Sequence, residues 1–241
     1  MTENHSPHRR GFKDLLSIGN QSRPRIFDLN IKRPSPLYSH VIEVDERVTL
    51  VGYTSDPLFQ EHAVEFDESG NMTKGYSGLG KQNDPDGHVN GTSKVVKGIS
   101  GEPVQILKPL DETQISSQLQ ELFNSGYRSI AVVLAHSYTY PSHELLIGQI
   151  ASRIGFKHIS LSSQLVPMIK MVPRGISSTA DAYLTPVLGA YLDGFYAGFE
   201  GGREGGLKVE FMGSDGGLCD LNVSRNPRVR APCKCYERLQ G

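Results

Sequence analysis

Three clusters of residues in this 241-residue chain have side chains and spacing suited to chemistry. The first is Ser214-Asp215-Gly216-Gly217, one residue after the alternating stretch Leu207–Met212, which reads as a strand. An α/β sheet places its ligands beyond the carboxyl ends of its strands, and paired glycines let backbone amides approach an anion closely. A strand ending in Asp-Gly-Gly is also an ordinary tight turn. No Lys-Ser or Lys-Thr follows the glycines, so a Walker-type phosphate loop is excluded at that position.

The second cluster, His136-Ser137-Tyr138, follows the apolar run Ile130–Ala135. Polar side chains that emerge at a strand's end can act as acid, base or hydrogen-bond donor, with His the natural proton carrier. The same residues could instead cap the strand and satisfy local backbone groups. No carboxylate is spaced so as to orient the histidine as in a triad. The third cluster is Arg174 with Ser177, Ser178, Thr179 and Asp181 at the expected start of a long helix. There the hydroxyls could cap the first turn and leave amides facing a negative group. Asp181 could complement the helix dipole or make a polar contact at a cleft. Cys219, Cys233 and Cys235 lack the spacing and the fourth ligand of a zinc knuckle, and the scattered histidines form no ligating pattern, so no metal site is expected.

The elements that must position these residues follow from periodicity. Phe12, Leu15, Leu16 and Ile18 predict a short helix stopped at Gly19-Asn20, and Pro24, Pro34 and Pro36 mark an extended connector. Val41–Val51 reads as a strand with edge or bulge character, because Glu46 breaks its alternation. Gly70-Asn71 reads as a turn, and the polar Gly75–Thr92 stretch as a mobile loop, an insertion by its composition. Asp111 predicts the N-cap of a helix over 112–125, with Gly126 beyond its last turn. A continuous apolar run makes Ile130–Ala135 a strand covered on both faces. Ser142 is expected to cap a helix through Arg153, followed by a strand at Ile159–Leu161. Ser177–Phe199 carries the longest helical pattern, interrupted by Pro186, with Ala180, Tyr183, Leu184, Val187, Leu188, Tyr191, Leu192 and Phe195 as its apolar stripe. Alternation of strands and helices from Ile130 onward predicts an α/β fold with βαβ units around a largely parallel sheet.

Composition narrows the partners. A formal net charge of -1 gives no electrostatic case for nucleic acid or an anionic membrane surface. With 37% hydrophobic residues the chain can bury a core. Three cysteines near the end, a polar start and the lack of an apolar run long enough to span a bilayer point to a cytoplasmic protein. Small-molecule chemistry or protein association remains.

Several motifs in order resemble the hydantoinase/oxoprolinase family, and within it the ATP-dependent 5-oxoprolinases. They are Gly11-Phe12-Lys13-Asp14-Leu15-Leu16 with Ile18-Gly19, Phe27-Asp28-Leu29, Glu43–Val48, His136-Ser137-Tyr138, Leu161-Ser162-Ser163, Val172-Pro173-Arg174-Gly175 and Ser214–Leu218. The resemblance implies a partial actin/sugar-kinase-like (ribonuclease H-like) core. It also implies ATP with a divalent metal such as magnesium, and hydrolytic opening of 5-oxo-L-proline to L-glutamate in glutathione metabolism. ATP would activate the stable lactam through phosphorylation of its oxygen, so that water attacks the ring carbonyl. It further allows a homodimer in the full-length family.

Against the family pattern the chain is expected to be truncated at both ends. A divergent segment spans 1–10, an N-terminal-type region 11–172, the start of the hydantoinase A/oxoprolinase core 173–218, and a divergent, disordered tail 219–241. The family's two phosphate motifs would lie upstream of Gly11 and downstream of Leu218, which predicts that this chain alone binds no ATP and does not turn over. The other readings are a non-catalytic small-molecule-binding or interaction module, and a hydantoinase A-type subunit acting on a hydantoin. The candidate cleft residues are Ser214, Asp215, Gly216, Gly217, His136, Ser137, Tyr138, Arg174 and Asp181.

Overall fold

The computed structural model describes residues 15–17, 35–52, 58, 63–70, 72–74, 94–200, 209–212 and 218–220. Among the described residues nine strands fall in four small sheets. Strands β1 (Arg47–Leu50), β5 (Pro103–Lys108) and β4 (Lys94–Lys97) form an antiparallel sheet in the order β1-β5-β4. Strands β2 (Glu65–Phe66) and β3 (Met72–Lys74) form a hairpin. Strands β6 (Ser129–Val132) and β7 (His158–Leu161) pair in parallel. Strands β8 (Glu210–Met212) and β9 (Leu218–Asp220) pair antiparallel. The helices are α1 (Glu112–Asn124), α2 (Ser142–Ile154), the single turn α3 (Ser162–Leu165) and α4 (Met171–Ala197).

From Ile130 onward the expected parallel pairing is realised in β6–β7, whereas β8 and β9 pair antiparallel. One βαβ unit is present, β6-α2-β7, and the other pairings are antiparallel among the described residues. The β4–β5 connection is only five residues, too short for the crossover that parallel pairing requires. The expected irregularity in the first strand is real: the register shifts between Arg47 and Val48, and Val41–Glu46 lies outside the strand. Of the helix expected at Phe12–Ile18, a single 3-10 turn at Leu15–Ser17 is described. Gly70 occupies the expected turn with φ 82°, its amide donating to the Asp67 carbonyl. The Gly75–Thr92 loop lies outside the described residues.

Helix α1 forms where its cap predicts. Asp111 has extended backbone, and its Oδ1 accepts from the amides of Thr113 at 2.9 Å and Gln114 at 3.1 Å. The Thr113 hydroxyl, which donates to the same oxygen at 2.6 Å, and these amide bonds hold the Asp111 carboxyl below its ordinary range. Helix α2 corrects the expected cap, because Pro141 occupies the N-cap position and Ser142 is the first helical residue, without a capping bond. It ends at Gly155, whose φ of 108° supplies the left-handed C-cap that a side chain disfavours.

Ile115 and Leu119 of α1, Ile147, Ile150 and Ala151 of α2, Val132, Leu134, Phe156 and Leu161 form one buried cluster. Helix α2 lies close over β7 because Gly148 faces Leu161, where an added Cβ would stand 3.0 Å from Leu161 Cδ1. Phe123 packs edge-on against Phe156, with the Arg128 guanidinium 4.1 Å from the Phe123 ring centre.

Helix α4 packs on β6 and β7. It begins six residues before the expected Ser177 and continues through Pro186. Pro173 lies in its first turn, where the missing N–H has no helical partner to lose. Its expected apolar stripe is not core. Tyr183, Leu184, Val187, Leu188 and Tyr191 are exposed, whereas Ala180 is fully buried.

This burial pattern predicts opposite results for two substitutions of aliphatic residues. Ile147→Ala should cost about 2–5 kcal/mol, because it empties a site in the dense cluster. Leu188→Glu should change stability by about 0.5 kcal/mol or less. Denaturant titration of both variants checks the contrast.

Candidate functional site

Strand β6 stops at Val132 instead of Ala135 because side chains take over the next peptide groups. The Leu134 N–H donates to Glu144 Oε1 at 2.8 Å, and the Leu134 carbonyl accepts from Arg174 Nη2 and from Ser137 Oγ, the latter at 3.1 Å. Glu144 and Arg174 are both fully buried. They come from α2 and α4, so two helices grip the two backbone polar groups of one residue at the end of the parallel pair.

The Glu144 carboxylate is the centre of this arrangement. Besides the Leu134 N–H, it accepts Ser162 Oγ–H at 2.6 Å and the Ser163 N–H at 2.8 Å. The last bond caps α3, whose own N-cap residue, Leu161, offers no side-chain acceptor. Charge-assisted bonds of this kind offset the cost of burying a carboxylate. Arg174 reaches the Met168 carbonyl through Nη1 at 3.4 Å, while its Nε is buried without a partner. Burial lowers the Arg174 pKa, and the charge of Glu144 opposes that shift.

Beyond the clamp, residues 135–140 form a turn that carries the expected His136-Ser137-Tyr138 cluster. His136 has φ 56°, the only positive φ outside glycine among the described residues. Its carbonyl accepts the amides of Thr139 at 3.1 Å and Tyr140 at 2.9 Å. Ser137 and Thr139 are buried, and the Ser137 hydroxyl lies 3.4 Å from that of Ser162. Thr139 ties the turn to the β4–β5 connection: its carbonyl accepts from Ile99 N at 2.8 Å, and its Oγ1 accepts from Ser100 at 2.7 Å.

The His136 and Tyr138 rings are 6.3 Å apart. Burial lowers the His136 pKa; Glu46 and Glu102 oppose the shift and Arg174 adds to it, favouring the neutral imidazole. Nearby, His143 Nδ1 is paired with Glu46 Oε2 at 2.6 Å.

Arg174, expected to precede the helix, sits inside its first turns and points into the protein. The expected capping by Ser177, Ser178 and Thr179 does not occur either. Ser178 and Thr179 donate to the carbonyls of Arg174 and Gly175, each one turn earlier, as hydroxyls do within a helix.

Asp181 is not in the first turn and does not serve the helix dipole there. Its Oδ2 meets His158 Nε2 at 2.9 Å and accepts from Ser160, while Oδ1 accepts from Thr185 at 2.7 Å. Aspartate, histidine and serine meet here, yet the serine and the aspartate both face the same imidazole nitrogen, Nε2 of His158. A relay through opposite imidazole nitrogens is therefore not formed. The cluster instead ties α4 to β7. Ser214, Asp215, Gly216 and Gly217 lie outside the described residues, between β8 and β9, whose register sets Met212 opposite Leu218.

For Asp181, burial raises the pKa, but the bonds from His158, Ser160 and Thr185 outweigh it and bring it down to about 2. A carboxylate depressed on folding stabilises the fold above its unfolded pKa, and that contribution is lost as pH falls through the folded value. The stability difference between the native chain and Asp181→Asn should therefore shrink between about pH 4 and pH 2. Allowing for partial solvent screening, about 1–2 kcal/mol should disappear across that window. Urea titrations at a series of pH values measure it.

A phosphate site needs donors that are free to face the anion. Arg174 is turned onto two carbonyls and has no exposed surface. Arg174 is therefore not free to face the triphosphate of ATP. Nor does any group of three or more His, Cys, Asp or Glu converge among the described residues to hold its metal. No helix among them is long and apolar enough to cross a membrane.

Sequence reasoning singled out His136 and Arg174 but passed over Glu144. The available signal was a glutamate at the third position of a helix directly after a strand-end polar cluster. A dipole role explains such a residue equally well.

A parallel βαβ unit with a polar turn clamped at its strand end, beside a small antiparallel sheet, defines a mixed α/β protein. Residues 7–155 match the model of the hydantoinase/oxoprolinase N-terminal region, and the chain belongs to that family. An uncharacterised protein of Schizosaccharomyces pombe is 49% identical over 218 residues, which cover 88% of this chain and 15% of the relative. The 5-oxoprolinase of Dictyostelium discoideum is 44% identical over 219 residues, 91% of this chain and 15% of that protein. The 5-oxoprolinase of Saccharomyces cerevisiae is 44% identical over 211 residues, 88% of this chain and 14% of that protein. The chain thus spans about a seventh of the length of these relatives.

Proposed function

We propose that this chain belongs to an ATP-dependent cyclic-amide hydrolase that opens 5-oxo-L-proline to L-glutamate. The observation that carries the reading is its 44% identity to two 5-oxoprolinases across 88–91% of its length. Those names favour a lactam over a hydantoin. Within that activity the chain contributes the clamped β6-α2-β7 unit and its strand-end turn, and the cleft residues are those of the His136–Tyr138 turn and the Ser214–Gly217 segment. The β6-α2-β7 unit supports a partial actin/sugar-kinase-like core, divided into regions 11–172 and 173–218. ATP and magnesium serve the whole enzyme, which acts in the cytoplasm and forms a homodimer. The chain by itself does not turn over, since it spans only 14–15% of the 5-oxoprolinases it matches.

A chimera tests the assignment. The segment of the S. cerevisiae 5-oxoprolinase that aligns with this chain is replaced by the chain, and phosphate release from ATP-magnesium is followed with and without 5-oxo-L-proline. Phosphate release that depends on 5-oxo-L-proline, with L-glutamate formed in step, is the expected result. A folded chimera that ignores 5-oxo-L-proline, or prefers a hydantoin, would overturn it. Substrate-dependent phosphate release by the purified chain alone would overturn the claim that it is inactive.

A further inference from the structure

We propose that the turn at residues 135–140 is a substrate-binding loop with the His136 imidazole as its hydrogen-bonding group, and that Glu144 and Arg174 are positioning residues that aim it. The inference rests on the 5-oxoprolinase reading for its ligand class, a small cyclic amide.

The turn is fixed on every side except one. Its incoming residue is gripped at both backbone polar groups, the Leu134 N–H by Glu144 and the Leu134 carbonyl by Arg174 and Ser137. Its outgoing end is held by Thr139 against Ile99 and Ser100. Gly98 permits that contact, since an added Cβ would stand 2.0 Å from Thr139 Oγ1. The His136 carbonyl is used twice, by the amides of Thr139 and Tyr140.

What is left over is the imidazole. Neither of its nitrogens makes a hydrogen bond among the described residues, whereas His143 is engaged by Glu46 and His158 by Asp181. His136 is also the residue held at φ 56°. A non-glycine residue kept in the left-handed region by over-determined surroundings is the pattern expected of a functional site. A neutral imidazole offers one donor and one acceptor, and an amide ring presents one N–H and one carbonyl, so either polar edge of the ring can pair with it.

Two buried charged residues spent on the N–H and carbonyl of a single residue make sense if the direction of the next side chains matters. Either helix could have closed against the strand end with apolar residues at lower desolvation cost. The free imidazole is the group whose direction the clamp would set.

The experiment uses the chimera together with the isolated chain. His136→Asn and His136→Gly both accept the left-handed backbone, so the turn should survive and Tm should stay within about 2–4 °C. Both should lower kcat/KM for 5-oxo-L-proline by about 100-fold, the size expected for loss of a positioned hydrogen-bonding or proton-transfer group. Glu144→Gln and Arg174→Lys should lower kcat/KM while leaving His136 in place. In the isolated chain, the NMR resonances of the His136 ring should shift in Glu144→Gln as the turn loses its fixed direction. The charged groups acting on that ring are Glu46, Glu102 and Arg174.

Unchanged kcat/KM in both His136 variants would overturn the binding role. An unmoved His136 resonance in Glu144→Gln would overturn the positioning role. If the unsubstituted chimera fails on 5-oxo-L-proline, the functional assignment falls, and the NMR arm still decides whether the clamp aims the imidazole.

Discussion

Replacing Glu144 by alanine should destabilise the chain by about 3–5 kcal/mol, among the largest effects of any single substitution in it. The carboxylate is fully buried and accepts from Leu134 N, Ser162 Oγ and Ser163 N. Its removal strands two backbone donors and a hydroxyl, each of which costs about 1–3 kcal/mol when buried without a partner. It also deprives the buried Arg174 guanidinium of the largest of the influences that act to keep it protonated. Glutamine is the informative companion. It fills the same volume, but its amide nitrogen turns a donor toward one of the donors that Glu144 satisfies, so it should recover part of the loss and not all of it. A Glu144→Ala variant within about 1 kcal/mol of the native chain in urea titration would show that water reaches the site and replaces the carboxylate.

The parts of the fold that could be read from the chain are those with local causes. Helix α1 begins at Asp111 because one aspartate side chain meets two orphan amides, a cause contained within four residues. The β6-α2-β7 unit is visible because an apolar run, a helical period and a second apolar run follow one another at the spacing of a crossover. The start of α4 is different. Pro173 and Gly175 read as helix breakers, and only the packing shows why they are suitable. Pro173 falls in the first turn, and Gly175 lies where a Cβ would stand 2.5 Å from Leu16 Cδ2 and 3.3 Å from Val133 Cγ1.

The same divide separates the candidate residues. His136 was legible because it follows an apolar run. Its conformation and the clamp behind it were not, since Glu144 and Arg174 reach Leu134 across 10 and 40 residues of sequence. Asp181 was legible as a helical acid, but its partners His158 and Ser160 lie on β7, beyond any local pattern. The apolar stripe of α4 misled for a related reason: a helical period shows that a face is apolar, not that it is covered. Tyr183, Val187, Leu188 and Tyr191 have that period and remain exposed.

Arg174→Met should also cost about 3–5 kcal/mol, for a reason that complements the effect at Glu144. Methionine follows the course of the arginine stem and fills part of its volume, so the loss is mainly electrostatic. The Leu134 and Met168 carbonyls lose their charged donor, although Ser137 still reaches the former. The Glu144 carboxylate then stays buried with no cation beside it. Since Glu144 and Arg174 act on the N–H and the carbonyl of the same residue, their effects should not add. A cycle of Glu144→Gln, Arg174→Met and the double variant should show a coupling of about 1–3 kcal/mol, with the double variant less damaged than the sum of the singles. Removing both charges leaves neither stranded, which is why a neutral pair in a buried site is often tolerated better than either half of a broken ionic one. Additivity within about 0.5 kcal/mol would mean that the two side chains stabilise the strand end independently, and that the clamp on Leu134 is two separate contacts.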